Sequence, residues 1–220
     1  MKFFDAHTHN TSTANKFAVV NLTIKDLKNS GLKPNSFYSL GIHPWYIDEK
    51  TLSRDIDDMQ TFISNPQIVA IGECGLDKLI KLDFKKQIAV FEQQIVIAEK
   101  VNKPIVLHTV RSYQETIAIK RKYKAKQKWI YHGFAGSYEL AMQIIAMGDF
   151  ISIGTSVLKS PKLQQTIAQL KMEHFLIESD EHSDQLPSIY SIIAKIKQCS
   201  IEFLIAQQRN NFNRIFNLDL

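Results

Sequence analysis

A slightly truncated α/β fold, a (β/α)8 TIM barrel, is what this sequence predicts, on three observations. Short apolar runs rich in Ile, Val and Phe recur along the chain, amphipathic segments fill most of the gaps, and histidines and acids stand where several runs end. Runs of this kind suit buried parallel strands, and their alternation with helices suits a barrel or a doubly wound sheet. No GxGxxG or GxxxxGK[ST] phosphate loop supports the doubly wound alternative.

The expected strands fall at 3–7, 17–22, 37–42, 68–72, 105–108, 129–132, 150–153 and 175–177. Between His9 and Phe17 there is too little sequence for a helix, so the first strand is expected to lead into a loop. The clearest helix carries Phe84, Ile88, Phe91, Ile95 and Ala98 on one face. Another starts at the N-cap candidate Ser137 and stops at Gly148, which suits the position just past a helix end. Further helices are expected at 163–172 and 200–216. With 220 residues the chain is short for a barrel, for which about 250 is typical, and residues 1–220 are expected to form one domain.

Composition excludes several classes. At 45% hydrophobic and 22% charged, the chain reads as globular rather than disordered. No apolar run approaches the roughly 20 residues that span a bilayer, and the opening residues lack a signal-peptide pattern, so the cytoplasm is the expected compartment. Cys74 and Cys199 make no disulfide framework, and Cys74 reads as a small buried hydrophobe. The formal charge of +5 permits an anionic substrate. The basic run from Lys120 to Lys128 closes a helix and leads into the strand before His132, so it reads as a solvated helix end rather than a nucleic-acid patch.

The chemistry sits at strand ends. In DAHTH the two-residue strand period puts Asp5, His7 and His9 on one face, with neighbouring imidazoles roughly 7 Å apart at Cα. Two such imidazoles can grip one ion from one side, and Asp5 suits orienting an imidazole. Glu73 follows the run 68–72, and its carboxylate can bridge two cations as a single imidazole cannot. His108 and His132 each end a separate strand and each offers a neutral nitrogen. Asp180, after the last strand, can bind metal and also take a proton from water, with Glu178 in support. Such ligands suit zinc, manganese, magnesium or a similar divalent ion. No GxSxG or HExxH motif competes with this reading.

Taken in order, DAHTH at 5–9, GIHP at 41–44, IGECGLD at 71–77, PIVLH at 104–108, HGFAGS at 132–137, SIGTS at 152–156 and ESD at 178–180 resemble the TatD family of metal-dependent deoxyribonucleases. The family lies within the amidohydrolase-like TIM barrels, and the blocks span nearly the whole chain. The resemblance implies two divalent ions per chain: His7, His9 and Asp180 on one, His108 and His132 on the other, and Glu73 bridging. It also implies hydrolysis of phosphodiester bonds in DNA, with Glu73 and Asp180 at the catalytic centre and no membrane or obligate protein partner. The chain departs from the family pattern at Asn10, at Val110 and Arg111, and at His182, where the family has proline. The resemblance implies that these departures fall where substrate is held.

Arg111 and His43 are the candidate substrate contacts, Arg111 because a guanidinium can hold a phosphate in two bonds. His43 equally suits a structural hydrogen bond, His182 an exposed loop, and Lys159 the surface; His174 precedes a strand and is excluded from the site. Two other readings keep the metal centre: an enzyme acting on an amide, lactone or carboxylic ester, and a non-catalytic metal-stabilised binding protein.

Overall fold

The computed structural model describes residues 2–12 and 15–220. The strands are β1 (Phe3–Thr8), β2 (Lys16–Leu22), β3 (Phe37–Leu40), β4 (Ile68–Asp77), β5 (Ile105–Val110), β6 (Trp129–Tyr131), β7 (Phe150–Ile153) and β8 (Phe175–Ile177). They hydrogen-bond in chain order in one sheet of eight. The helices are α1 (Ile24–Ser30), α2 (Leu52–Phe62), α3 (Phe84–Val101), α4 (Tyr113–Tyr123), α5 (Tyr138–Ile145), α6 (Pro161–Gln169), α7 (Leu186–Ile196) and α8 (Ile201–Phe216). Sequential parallel strands joined by helical crossovers are the topology of the (β/α)8 TIM barrel. Among the described residues no helix separates β1 from β2, as expected; residues 13 and 14 of that connection lie outside the described residues.

By its internal contacts the chain divides into two compact units, residues 1–20 with 130–220, and residues 21–129. In the first, the Tyr190 hydroxyl of α7 accepts from the Phe4 amide (3.1 Å) and donates to the Phe4 carbonyl (2.7 Å), which ties α7 to β1 through a buried phenol. Phe4 packs against Phe17 and Phe212, and Asn211 on α8 donates to the Phe175 carbonyl at the start of β8. A parallel bridge joins Thr8 to Asp180, so the segment after β8 pairs with the end of β1.

The second unit is organised around β4, all of whose residues are buried. Two glutamines of α3 hold the neighbouring backbone: Gln94 bonds both the amide and the carbonyl of Ile42, and Gln87 does the same for Asp77. Unpaired main-chain groups in such a place would be costly, which explains buried amides on a helix face. At Gly75 (φ +139°) a Cβ would lie 2.2 Å from the His108 carbonyl oxygen, so only glycine lets β4 and β5 approach here.

Most expected boundaries hold within a few residues, and Ser137 and Ser200 cap α5 and α8 with their side chains. Two expectations need correction. The strand expected at 68–72 continues to Asp77, so Glu73 lies within β4 rather than at its end, where the β4–β5 register shifts between Ile71 and Cys74. The basic run is not wholly solvated: Lys120 is buried, donates to the Gln127 carbonyl (2.8 Å) and rests over the Trp129 ring. Its aliphatic stem and charge both find partners in the interior edge.

Candidate metal centre

In the first unit the backbone does the gathering. The Asp180 amide donates to the His7 carbonyl (3.0 Å), and the His9 amide donates to the Asp180 carbonyl (3.2 Å), so Asp180 is threaded between the two histidines. Asp180 adopts a left-handed φ of +50°. The Thr8 hydroxyl also donates to its carbonyl. Asp180 Oδ1 then lies 3.7 Å from His7 Nε2 and 3.5 Å from His9 Nε2. His7 is buried, whereas the side chains of His9 and Asp180 are 33% and 39% exposed, so the group is reachable from solvent.

Those separations discriminate between two arrangements. A charge-assisted nitrogen–oxygen hydrogen bond would close to about 2.7–2.9 Å. Ligands at about 2.0–2.2 Å from one tetrahedral ion stand roughly 3.4 Å apart. The donor atoms of His7, His9 and Asp180 lie within 4.8 Å of one another, and their spacing and mixed imidazole and carboxylate chemistry fit a divalent ion.

The His132 ring packs against His7 with centroids 4.4 Å apart, and its Nδ1 faces Glu178 Oε1 at 3.4 Å. Glu178 is buried and accepts from the Gly133 amide (2.6 Å), which fixes the turn that follows β6. Burial alone would raise the Glu178 carboxyl, but His132, the charge of His7 and the Ser152 hydroxyl hold it below the usual range. Its supporting role is thus visible as a carboxylate at the ring of His132.

Asp5 does something other than expected. It orients no imidazole in the described contacts. Its oxygens accept from the Ser179 amide (2.8 Å) and hydroxyl (2.6 Å), and it pairs with buried Lys16 at 2.7 Å. The strand period that aligned it with His7 also aims it at the residue just before Asp180. Asp5 therefore acts on the ligand loop through Ser179. Burial still raises its carboxyl above the usual range despite Lys16 and Ser179.

In the second unit the group is buried and directly bonded. Glu73 Oε1 lies 2.8 Å from His108 Nδ1 and 3.3 Å from His43 Nε2, and His108 Nε2 lies 3.1 Å from Asp77 Oδ2. Donor atoms of His43, Glu73 and His108 fall within 4.8 Å of one another. Hydrogen-bond direction assigns their roles. His43 Nδ1 accepts from the Trp45 amide (3.1 Å), so neutral His43 carries its proton on Nε2, facing Glu73. That makes His43 a donor to Glu73. His108 places a carboxylate at each ring nitrogen; with its proton directed to Asp77, Nδ1 would be left as a ligand nitrogen for an ion held with Glu73. The donor chemistry suits a divalent ion, which would part the 2.8 Å Glu73–His108 contact to ligand spacing.

Asp77 and Trp45 are the site residues that the sequence reading left without a role. Asp77 also accepts from the Trp45 indole N–H (2.7 Å) and the Leu79 amide (2.8 Å). Burial would raise its carboxyl, but those bonds and His108 hold it below the usual range. The signal was present in IGECGLD: once the strand runs past Glu73, period two puts Glu73, Gly75 and Asp77 on one face. Cys74, on the other face, is fully buried, and burial and the Glu73 charge push its thiol up, in keeping with a core residue.

The remaining candidates sort simply. Arg111 follows β5 directly with a left-handed φ of +52° and is exposed. His182 and Lys159 are exposed, and His174 precedes β8. No described helix is long and apolar enough to cross a membrane.

Sequential parallel strands with imidazoles and carboxylates at or just beyond their C-terminal portions define the chain as a barrel of the metal-dependent hydrolase class. A family profile for TatD-related DNases matches residues 5–217, and the chain belongs to that family of metal-dependent hydrolases. An uncharacterized metal-dependent hydrolase from Buchnera aphidicola subsp. Baizongia pistaciae is 31% identical over 201 residues, covering 84% of this chain and 75% of that protein. One from Haemophilus influenzae is 27% identical over 213 residues, covering 82% and 81%. Among solved structures, the TatD homologue YjjV from Escherichia coli superposes with a TM-score of 0.84 at 19% identity, covering 99% of this chain and 98% of that one. A hydrolase TatD family protein from Entamoeba histolytica gives 0.82 at 16% identity, covering 98% of both chains.

Proposed function

We propose that the chain hydrolyses phosphodiester bonds, with DNA or another phosphoester as the substrate class, as a single domain and with the cytoplasm as its compartment. The observation that carries this reading is the His7–His9–Asp180 group, whose 3.5 and 3.7 Å separations suit an ion rather than hydrogen bonds, in a chain that matches a family described by DNase activity. In this reading His7, His9 and Asp180 serve one ion, His108 and His132 a second, and Glu73 both, the assignment that the family resemblance gives them. The chemistry that such ions supply is acidification of a water ligand and polarisation of the scissile ester.

The protein's own groups do the rest. Asp180, partly exposed, takes the proton released from water. His43 holds one Glu73 oxygen through Nε2–H, and Asp77 holds His108 in the tautomer that leaves Nδ1 available. Arg111 offers a guanidinium to a phosphate oxygen.

The test pairs metal analysis of the purified protein with cleavage of a labelled single-stranded oligonucleotide, beside an amide, a lactone and a carboxylic ester. Two equivalents of metal and phosphodiester cleavage that vanishes in Glu73→Ala are expected. Cleavage of the carbonyl substrates alone would move the chain to amidohydrolase chemistry. Bound metal with turnover of none of them would make it a binding protein.

A further inference from the structure

We infer that Trp45 and Tyr46 form a stacking platform for a nucleobase of the substrate beside the second ligand group. This rests on the phosphodiester reading above and adds what holds the substrate next to the reacting bond.

Both side chains are large, aromatic and open: Trp45 is 58% and Tyr46 64% exposed. Scattered exposed apolar residues are ordinary and mean little. These two differ in being consecutive, and in how firmly one of them is held. The Trp45 main chain donates to His43 Nδ1, and its indole N–H donates to Asp77. The ring is therefore held through its indole N–H on an anchored backbone, while much of its surface faces solvent. Its centroid lies 5.1 Å from His43 and 5.6 Å from His108, and Tyr46 lies 5.5 Å from His43. The aromatic pair thus borders the imidazoles that face Glu73.

A prefixed, exposed aromatic surface loses little conformational entropy on binding, so it suits a flat partner that stacks. In a nucleic acid strand every phosphodiester has a base next to it, and stacking on an aromatic side chain tolerates any of the bases. The chain's net charge of +5 favours a polyanion over a neutral aromatic ligand. Trp45 to Asp77 to His108 is also a continuous chain of hydrogen bonds, so the platform and the ligand group are built as one piece.

Fluorescence reads this directly, because the chain has two tryptophans and the other, Trp129, is fully buried. Purified protein is titrated with thymidine 5′-monophosphate, which has no diester to cleave, and with deoxyribose 5-phosphate, which lacks only the base. The nucleotide is expected to quench Trp45 emission and to bind about tenfold more tightly than the sugar phosphate. Trp45→Phe is expected to lose the quenching while keeping most of the preference, since the ring remains. Trp45→Ala combined with Tyr46→Ala is expected to bind both ligands equally, with an unchanged circular dichroism spectrum; Tyr46→Ala alone, exposed and free of the Asp77 bond, is expected to lose part of the preference. Equal binding of the two ligands by the unaltered protein, or a preference that survives the double substitution, would overturn the platform. The two readings fail separately. Diester cleavage without base preference removes the platform and leaves the function; base-dependent quenching without any cleavage removes the function and leaves a nucleotide-binding surface.

Discussion

The two ligand groups contain similar side chains and are built by opposite means. In the first unit the main chain does the positioning: the His7–Asp180–His9 ladder sets the side chains 3.5 and 3.7 Å apart. In the second unit the side chains fix one another, with Glu73, His108, Asp77, His43 and Trp45 linked by contacts of 2.7–3.3 Å. A group held open by its backbone keeps a place for an ion, and its charge balance depends on that ion. A group closed by hydrogen bonds is ordered beforehand, so each removed partner disturbs the others. On the function proposed above, the difference separates ligand from orienting residue, with Asp180 of the first kind and Asp77 of the second.

The sharpest way to break this contrast is Asp180→Asn. The amide keeps the volume but removes the only carboxylate among the His7, His9 and Asp180 side chains. Loss of direct ligation and of the proton acceptor together is expected to lower kcat by about a thousandfold or more, equivalent to about 4 kcal/mol of transition-state stabilisation. Metal content should fall in parallel, while the thermal unfolding midpoints of the two proteins stay close once both are stripped of metal. Asp77→Asn is the smaller counterpart. It removes the charge that orients His108 without removing a ligand, and a 10–100-fold loss of metal affinity is expected for such a change. Titration of the metal-stripped protein checks it. If Asp77→Asn abolished binding and Asp180→Asn spared it, the roles assigned to the two groups would be reversed.

The same contrast explains what could be read from the chain. The strands and their order were legible because buried parallel strands write themselves as continuous apolar runs. His7, His9, His108, His132 and Asp180 stood out as candidates because polar groups at the ends of such runs are conspicuous. The role of Asp5 was not, since period two fixes only which face it shares with His7 and not which segment it meets. Of its partners, Lys16 lies 11 residues away and Ser179 lies 174 residues away. Asp77 was hidden by the early end assigned to its strand: an irregular register at Glu73 looks, in sequence, like a strand stopping. Trp45 was hidden because an exposed aromatic carries no pattern. Lys120 misled by belonging to a charge run, where the cation above Trp129 is a three-dimensional fact. Main-chain periodicity was readable, and side chains that meet across distant segments were not.

A surface charge next to the second group sets the lower end of the scale. Lys78 follows Asp77 directly and pairs with Glu115 on α4, both side chains being more than one-third exposed. The Glu115 carboxyl lies below its usual value, first because of the hydrogen bond from Lys78, which outweighs partial burial. A depressed folded-state pKa means that the unfolded chain binds the proton more readily. The pair therefore stabilises the fold above the ordinary carboxylate range, and that stabilisation is lost as pH falls through the depressed value. Solvent and salt screen so exposed a pair, so Glu115→Gln is expected to cost no more than about 1 kcal/mol, or about 2–4 °C in the unfolding midpoint at neutral pH. The difference from the unaltered protein should shrink in acid and in high salt. Metal content should not change. A loss of metal in Glu115→Gln would mean that charge at the rim reaches His108 through β4, and that the second group is less self-contained than its hydrogen bonds indicate.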